Sequence, residues 1–215
     1  MEPMRLPLNS VAAACLFAGG LAIGTILLRP AYSVKASSQE SPAYAPNGDM
    51  LPPTHYREWI YLTSGIDMSY TPRTPNKRHR SMFDNVFVNP EAWRGFLVSG
   101  TWPDKTVMVL EHREAREKGS INQSGHFQAA GAVGIEVHVK DESRFPGKWA
   151  FFAFGAPDKN GTLFPQEADC YSCHAENGAV DSTFVQFYPT LLPIAQAKGT
   201  LRAARTAETS TGVDR

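Results

Sequence analysis

Cys170-Tyr171-Ser172-Cys173-His174 sets two thiols three positions apart and places an imidazole directly after the second. Each thiol of such a pair can form a thioether to one vinyl group of a haem, and the adjoining histidine then lies where it can ligate the iron. The pentapeptide therefore reads as the attachment signature of a c-type haem. Cys170 and Cys173 are the expected tethers and His174 the proximal iron ligand, with one haem c per chain. A redox dithiol and half a zinc site are the competing readings. Tetrahedral zinc needs two further ligands at comparable spacing, and the chain has no second C-x-x-C and only one other cysteine, Cys15.

Cys15 sits inside an N-terminal apolar run, so no structural disulfide is open to the mature chain. Residues 1–36 read as a signal peptide or membrane anchor: Arg5 precedes a stretch from Leu8 to Leu28 that is apolar or small almost throughout, and Val34-Lys35-Ala36 resembles a cleavage site. The run is about 20 residues, enough to span a bilayer if it stays uncleaved. The expectation is a periplasmic protein exported by this segment, or one anchored to the periplasmic face of the inner membrane. Export agrees with the haem motif, because bacterial thioether attachment takes place outside the cytoplasm.

Basic and acidic side chains balance at 21 each, and removing the first 36 residues leaves 18 and 20. Such a near-neutral surface argues against nucleic acid as a partner. The remaining 179 residues suit a single domain. Residues 37–55, rich in Ser, Pro, Ala and Asn, read as a flexible linker. A haem domain is expected over 56–195, followed by a polar tail over 196–215.

The elements that must hold the motif follow from local pattern. Thr54 can cap a helix that presents Tyr56, Trp59, Ile60 and Thr63 and stops at Gly65. Met82 to Val88 has strand character. Asn89-Pro90-Glu91 starts a helix carrying Trp93, Phe96 and Leu97 to about Gly100. Val107 to Leu110 is a strand with Val107 and Val109 on one face and Met108 and Leu110 on the other. Ala132 to Lys140 alternates, Val133, Ile135, Val137 and Val139 lying opposite Gly134, Glu136 and His138. Lys148 to Phe154 is a fourth strand, and a last helix from about Ser182 carries Phe184, Phe187, Tyr188 and Leu191. The fold class is α+β, an antiparallel β-sheet packed with a few helices around one covalently bound c-type haem.

Small electron-carrying c cytochromes are mostly helical with the motif near the N-terminus, whereas here it follows several strands. Tyr56-Arg57-Glu58-Trp59, Asn89-Pro90-Glu91, Gly100-Thr101-Trp102-Pro103-Asp104 before the Val107 strand, and Val185-Gln186-Phe187-Tyr188-Pro189 after the motif make the chain similar to the cytochrome P-460 family from about Tyr56 to Leu191. The resemblance implies a homodimer and a proximal histidine with the opposite iron position open or water-filled. It also implies one of two activities: hydroxylamine oxidation with a lysine cross-linked to the haem, or nitric oxide and carbon monoxide binding without that link, as in cytochromes c′-beta. Aligned on this family, the cross-linking position falls at Leu110, which cannot form the bond. Lys105 lies before the strand and Lys118 beyond it.

The expected distal pocket is apolar, walled by Leu110, Met108, Phe83 and Phe87, which favours small neutral diatomics over anions. The functional expectation is binding or redox processing of nitric oxide or a related small nitrogen or oxygen species at an open haem iron, with an undetermined redox partner. Hydroxylamine oxidation is the alternative, and there Glu167 and Asp169 are the candidate catalytic carboxylates for proton transfer. A second alternative is a His/Met electron-transfer cytochrome c, with Met108 as sixth ligand.

Overall fold

The computed structural model describes residues 41–69 and 80–202. The expected signal peptide or anchor lies outside the described residues, as do Lys77, Arg78 and His79 and the polar tail beyond residue 202. Among the described residues, six strands run in an antiparallel meander in sequence order: β1 (Ile60–Ile66), β2 (Met82–Val88), β3 (Val107–Arg116), β4 (Phe127–Lys140), β5 (Trp149–Phe154) and β6 (Thr162–Leu163). Three helices accompany them: α1 (Pro90–Ser99), α2 (Asp169–Asn177) and α3 (Leu192–Lys198). The α+β class and the antiparallel sheet are as the sequence led one to expect.

Period-two alternation gives the sheet two buried faces. Val107, Val109, Ile135, Val137, Val139, Phe152 and Phe154 pack on one side beneath Met50, Tyr56, Trp59 and Phe145. Val88 and Met108 face the other side, where Ala92 and Phe96 of α1, Trp102, Val185, Tyr188 and Leu191 cover them. Burying side chains of this size stabilises by about 1.5–3 kcal/mol each, so both layers hold the sheet.

The expected helix after Thr54 is replaced by a short 3₁₀ turn, Tyr56–Glu58, leading into β1. Strand pairing wins because Ile60 and Thr63 line up with Val88 and Val86 across the β1–β2 ladder. The turn is fixed from below by Glu111, 1% exposed, which accepts hydrogen bonds from the Tyr56 hydroxyl, Arg57 Nε at 2.7 Å and Arg113 Nε. Burial alone would raise the Glu111 carboxyl, but those bonds overcome it and hold the group at about 2.

Of the residues expected as linker, those described, from 41 on, also belong to the domain. Met50 is 2% exposed in the core and bridges to Gly161, and Tyr44 pairs with Met50. At the other end, α3 runs through Lys198, inside the stretch expected to be tail.

Helix α1 begins at Pro90 and stops at Gly100, whose φ of 76° is the left-handed closure that glycine permits. Asn89 occupies the cap position, yet its Oδ1 accepts from Val107 N at 2.8 Å, so it ties the helix start to β3 instead of capping the helix. The helix expected from Ser182 is broken into a 3₁₀ turn, Val185–Phe187, and α3. Pro189 has no N–H for an intervening turn, and Pro193 fits the first turn of α3, where none is needed.

Candidate functional site

The Cys-x-x-Cys-His segment is itself helical, lying within α2. Helical spacing of three puts Cys170 and Cys173 on one side of α2, both as free, half-buried thiols. No side chain of α2 is fully buried in the fold. The helix is seated on the sheet by Tyr171, which stands edge-on to Phe151 with centroids 4.8 Å apart and donates its hydroxyl proton to the Phe164 carbonyl at 3.2 Å.

His174 is oriented by its second ring nitrogen. Nδ1 donates to the Ser182 carbonyl at 2.9 Å, which leaves Nε2 with its lone pair. The ring is packed among Phe184, Phe151 and His138, with centroids at 4.3, 4.7 and 4.8 Å. Burial pushes its pKa below the ordinary histidine value, favouring the neutral, metal-ligating form. His138 is pushed further down by burial, and its Nε2 is buried without a hydrogen-bond partner.

His174 opens on a cavity of about 340 Å³ against the sheet face formed by Val86, Met108, Leu110, His112, Glu136 and His138. Leu110 and Met108 therefore line the same cavity as His174. Phe83 and Phe87 do not. The ladder pairs Val86 with Leu110 and Asp84 with His112, whereas Phe87 pairs with Val109 and Phe83 with Arg113 on the opposite face. Phe87 stacks edge-on with Tyr56 and Tyr61 there. An aromatic residue in a strand reads as a wall for whichever face is of interest, and only register separates the two.

Glu167 and Asp169 are exposed and absent from the cavity lining. The carboxylates that line it are Asp84 and Glu136, with His112 between them. His112 Nδ1 donates to Asp84 Oδ1 at 2.7 Å, and its Nε2 faces Glu136 Oε1 at 3.7 Å, an ion-pair distance. The bond to Asp84, then the one toward Glu136, raises the His112 pKa to about 9 against the cost of burial. His112 in turn holds the Glu136 carboxyl below its usual range. The expectation of an apolar pocket is thus corrected: one end is apolar at Val86, Met108 and Leu110, and the other carries a charged relay. The strand pattern placed Glu136 and His138 opposite the core valines but did not place them at this cavity. The signal available was the polar side of an alternating strand paired to the strand holding Leu110.

Neither lysine considered for a cross-link reaches this cavity. Lys105 pairs with Asp141, and Lys118 is exposed beyond β3. Arg80 pairs with Glu114. A separate cleft of about 220 Å³ near Ser41, Met50 and Trp59 is lined without any titratable side chain.

The residues present fit a covalently held haem: two thiols on one helix face, an imidazole with one nitrogen already committed, and an adjoining cavity with an apolar wall. Gly178, at the end of α2, keeps this arrangement close. A Cβ there would come within 2.6 Å of the His174 carbonyl and 2.7 Å of Ser182 C and Thr183 N, all backbone. Gly178→Ala is expected to destabilise the fold by about 3 kcal/mol and to part Nδ1 from the Ser182 carbonyl, checked by urea denaturation.

Compared with known proteins, residues 53–185 match the family model described as Cytochrome P460. No curated protein matches the chain.

Proposed function

The chain belongs to the cytochrome P460 family, and from that membership and the cavity around His174 we propose an exported c-type haem protein that takes a small nitrogen species, nitric oxide first, at an open iron position. Cys170 and Cys173 would hold one haem by thioethers and His174 would ligate its iron. The group supplies one-electron chemistry and a site for a diatomic ligand.

The observation that carries the reading is the shared cavity: Leu110 and Met108 form an apolar wall opposite a histidine whose Nδ1 is already bonded to the Ser182 carbonyl. An apolar wall excludes water and imposes little desolvation cost on a neutral ligand. The charges at the other end add selectivity. With His112 protonated between Asp84 and Glu136, the cluster carries net negative charge, which opposes small anions.

A second reading, hydroxylamine oxidation, is favoured by that same cluster. Glu136 Oε1 can accept a proton released by a substrate, and His112, bonded to Asp84, keeps that carboxylate ionised. Leu110 at the position implied for a cross-linking lysine counts against a modified haem. Export, to the periplasm or to the periplasmic face of the inner membrane, and a homodimer complete the proposal. Both rest on the first 36 residues and the family resemblance.

The test is the absorption spectrum of the purified holoprotein, oxidised and reduced, with and without carbon monoxide and nitric oxide. An ordinary c-type Soret band that shifts with either gas is the expected result. No response to either gas would overturn the open-iron reading in favour of Met108 as sixth ligand. Reduction of the oxidised protein by hydroxylamine, sustained by an added electron acceptor, would select the second reading.

A further inference from the structure

The carbonyl that orients His174 stands in a costly turn. Asp181 and Ser182 both have left-handed backbone, with φ of 47° and 58°, and neither is glycine. Two consecutive residues of this kind are strained, so something outside the turn must hold them. The ends are closed by the Val180–Thr183 bridge and by the Thr183 hydroxyl, which donates to Val180 O at 2.6 Å and accepts from Trp102 Nε1 at 2.8 Å. At the tip, the Asp181 carboxylate accepts from Lys140 Nζ at 2.6 Å and from Trp149 Nε1 at 3.3 Å. Lys140 is 7% exposed, and its ammonium also donates to the Trp102 carbonyl at 2.6 Å.

A buried lysine whose charge is met by the tip of a strained turn is an anchor. What the anchor fixes is the next carbonyl, Ser182 O, on His174 Nδ1. We propose that Lys140 is a positioning residue for the proximal histidine, acting through Asp181 and the Ser182 carbonyl to hold the Nδ1 hydrogen bond and so set the donor strength of Nε2. This rests on the haem reading of His174. A firm acceptor at Nδ1 gives the imidazole more anionic character, strengthens its bond to iron and lowers the reduction potential. Lys140 is the last residue of β4, thirty positions before the motif, and is not among the residues that line the cavity.

The experiment is resonance Raman of the reduced holoprotein, reading the iron–histidine stretch, together with a potentiometric titration that works whatever the sixth ligand. Lys140→Met is expected to move the stretch to lower frequency and the midpoint potential upward, and Lys140→Arg to restore both toward the wild-type values. Trp149→Phe, which removes the second bond to Asp181 while keeping an aromatic ring in the core beside His138, is expected to give the same directions with smaller shifts, and serves if Lys140→Met fails to fold. A lower melting temperature with unmoved stretch and potential in Lys140→Met, or in Trp149→Phe where only that variant folds, would overturn the proposal and leave Lys140 a structural residue. Wild-type protein without histidine-ligated iron would instead overturn the haem reading beneath it.

Discussion

Cys170→Ser together with Cys173→Ser is expected to release all haem into acidified organic solvent, from a wild-type protein that releases none. The argument is geometric and chemical. Both thiols lie on one side of α2, three residues apart and half-buried, so a single porphyrin edge can meet both. With the thiols gone, a haem would be held only by His174 and the cavity, and denaturation in acid removes both. Each single variant is expected to keep covalent haem through the remaining thioether, with an absorption band in alkaline pyridine between those of the wild type and of an unattached haem. Haem extracted freely from the wild-type protein would sink the c-type assignment while leaving the family intact.

His174 separates attachment from ligation. His174→Ala keeps both thiols but removes the only imidazole on α2. It also frees the Ser182 carbonyl of its partner. Covalent haem is retained in that variant on this argument, and the two substitutions together divide the pentapeptide into its two functions.

The pentapeptide was legible because its chemistry is local: spacing along the chain is spacing along the haem. The sheet was legible for a similar reason, since Val107, Val109, Ile135, Val137 and Val139 alternate strictly and alternation needs no knowledge of partners. What failed depended on pairing. Tyr56 to Gly65 carries apolar residues at spacings that a helix and a bulged edge strand share, and only the ladder to β2 decides between them. Phe83 and Phe87 are apolar strand residues like Leu110, yet register puts them on the reverse face. Asp84, His112 and Glu136 come from three strands, with separations along the chain of more than twenty residues, so no motif announces them. Glu167 and Asp169 stand next to the motif in sequence, but both are exposed, Glu167 in the turn before α2 and Asp169 at its first residue.

The relay also changes how Leu110 is understood. Considered alone, a leucine at that position makes the cavity a site for neutral gases. The β3 ladder, however, places His112 two residues on, on the same face, paired across to Asp84. One strand thus supplies both the apolar wall and the cation that holds two carboxylates. A ligand bound against Leu110 has a proton-carrying group close along the strand, which suits redox chemistry that moves protons as well as simple binding.

Replacing His112 by glutamine should therefore be pH-dependent in a defined direction. The folded-state pKa of His112 is raised to about 9 by Asp84 first and Glu136 second, from an ordinary value of about 6.5. A raised pKa means that the folded state binds the proton more tightly than the unfolded chain. The stabilisation is fully present below about pH 6.5 and is lost as pH rises through about 9. The full shift would correspond to about 3 kcal/mol. His112 and Asp84 side chains are 28% and 25% exposed, so solvent screening reduces this to about 1–2 kcal/mol. Urea denaturation of the wild type and His112→Gln is expected to show that gap at about pH 6, narrowing through about pH 9 and closing above it. Glutamine can still donate to Asp84, so the residual gap isolates the charge. The cavity follows the same titration. Above about pH 9 the two carboxylates lose their cation, and net charge there becomes more negative. Affinity for a neutral gas against the Leu110 wall should hardly change across that range. A pH-independent stability gap would mean that His112 is held by packing, and the relay would lose its basis.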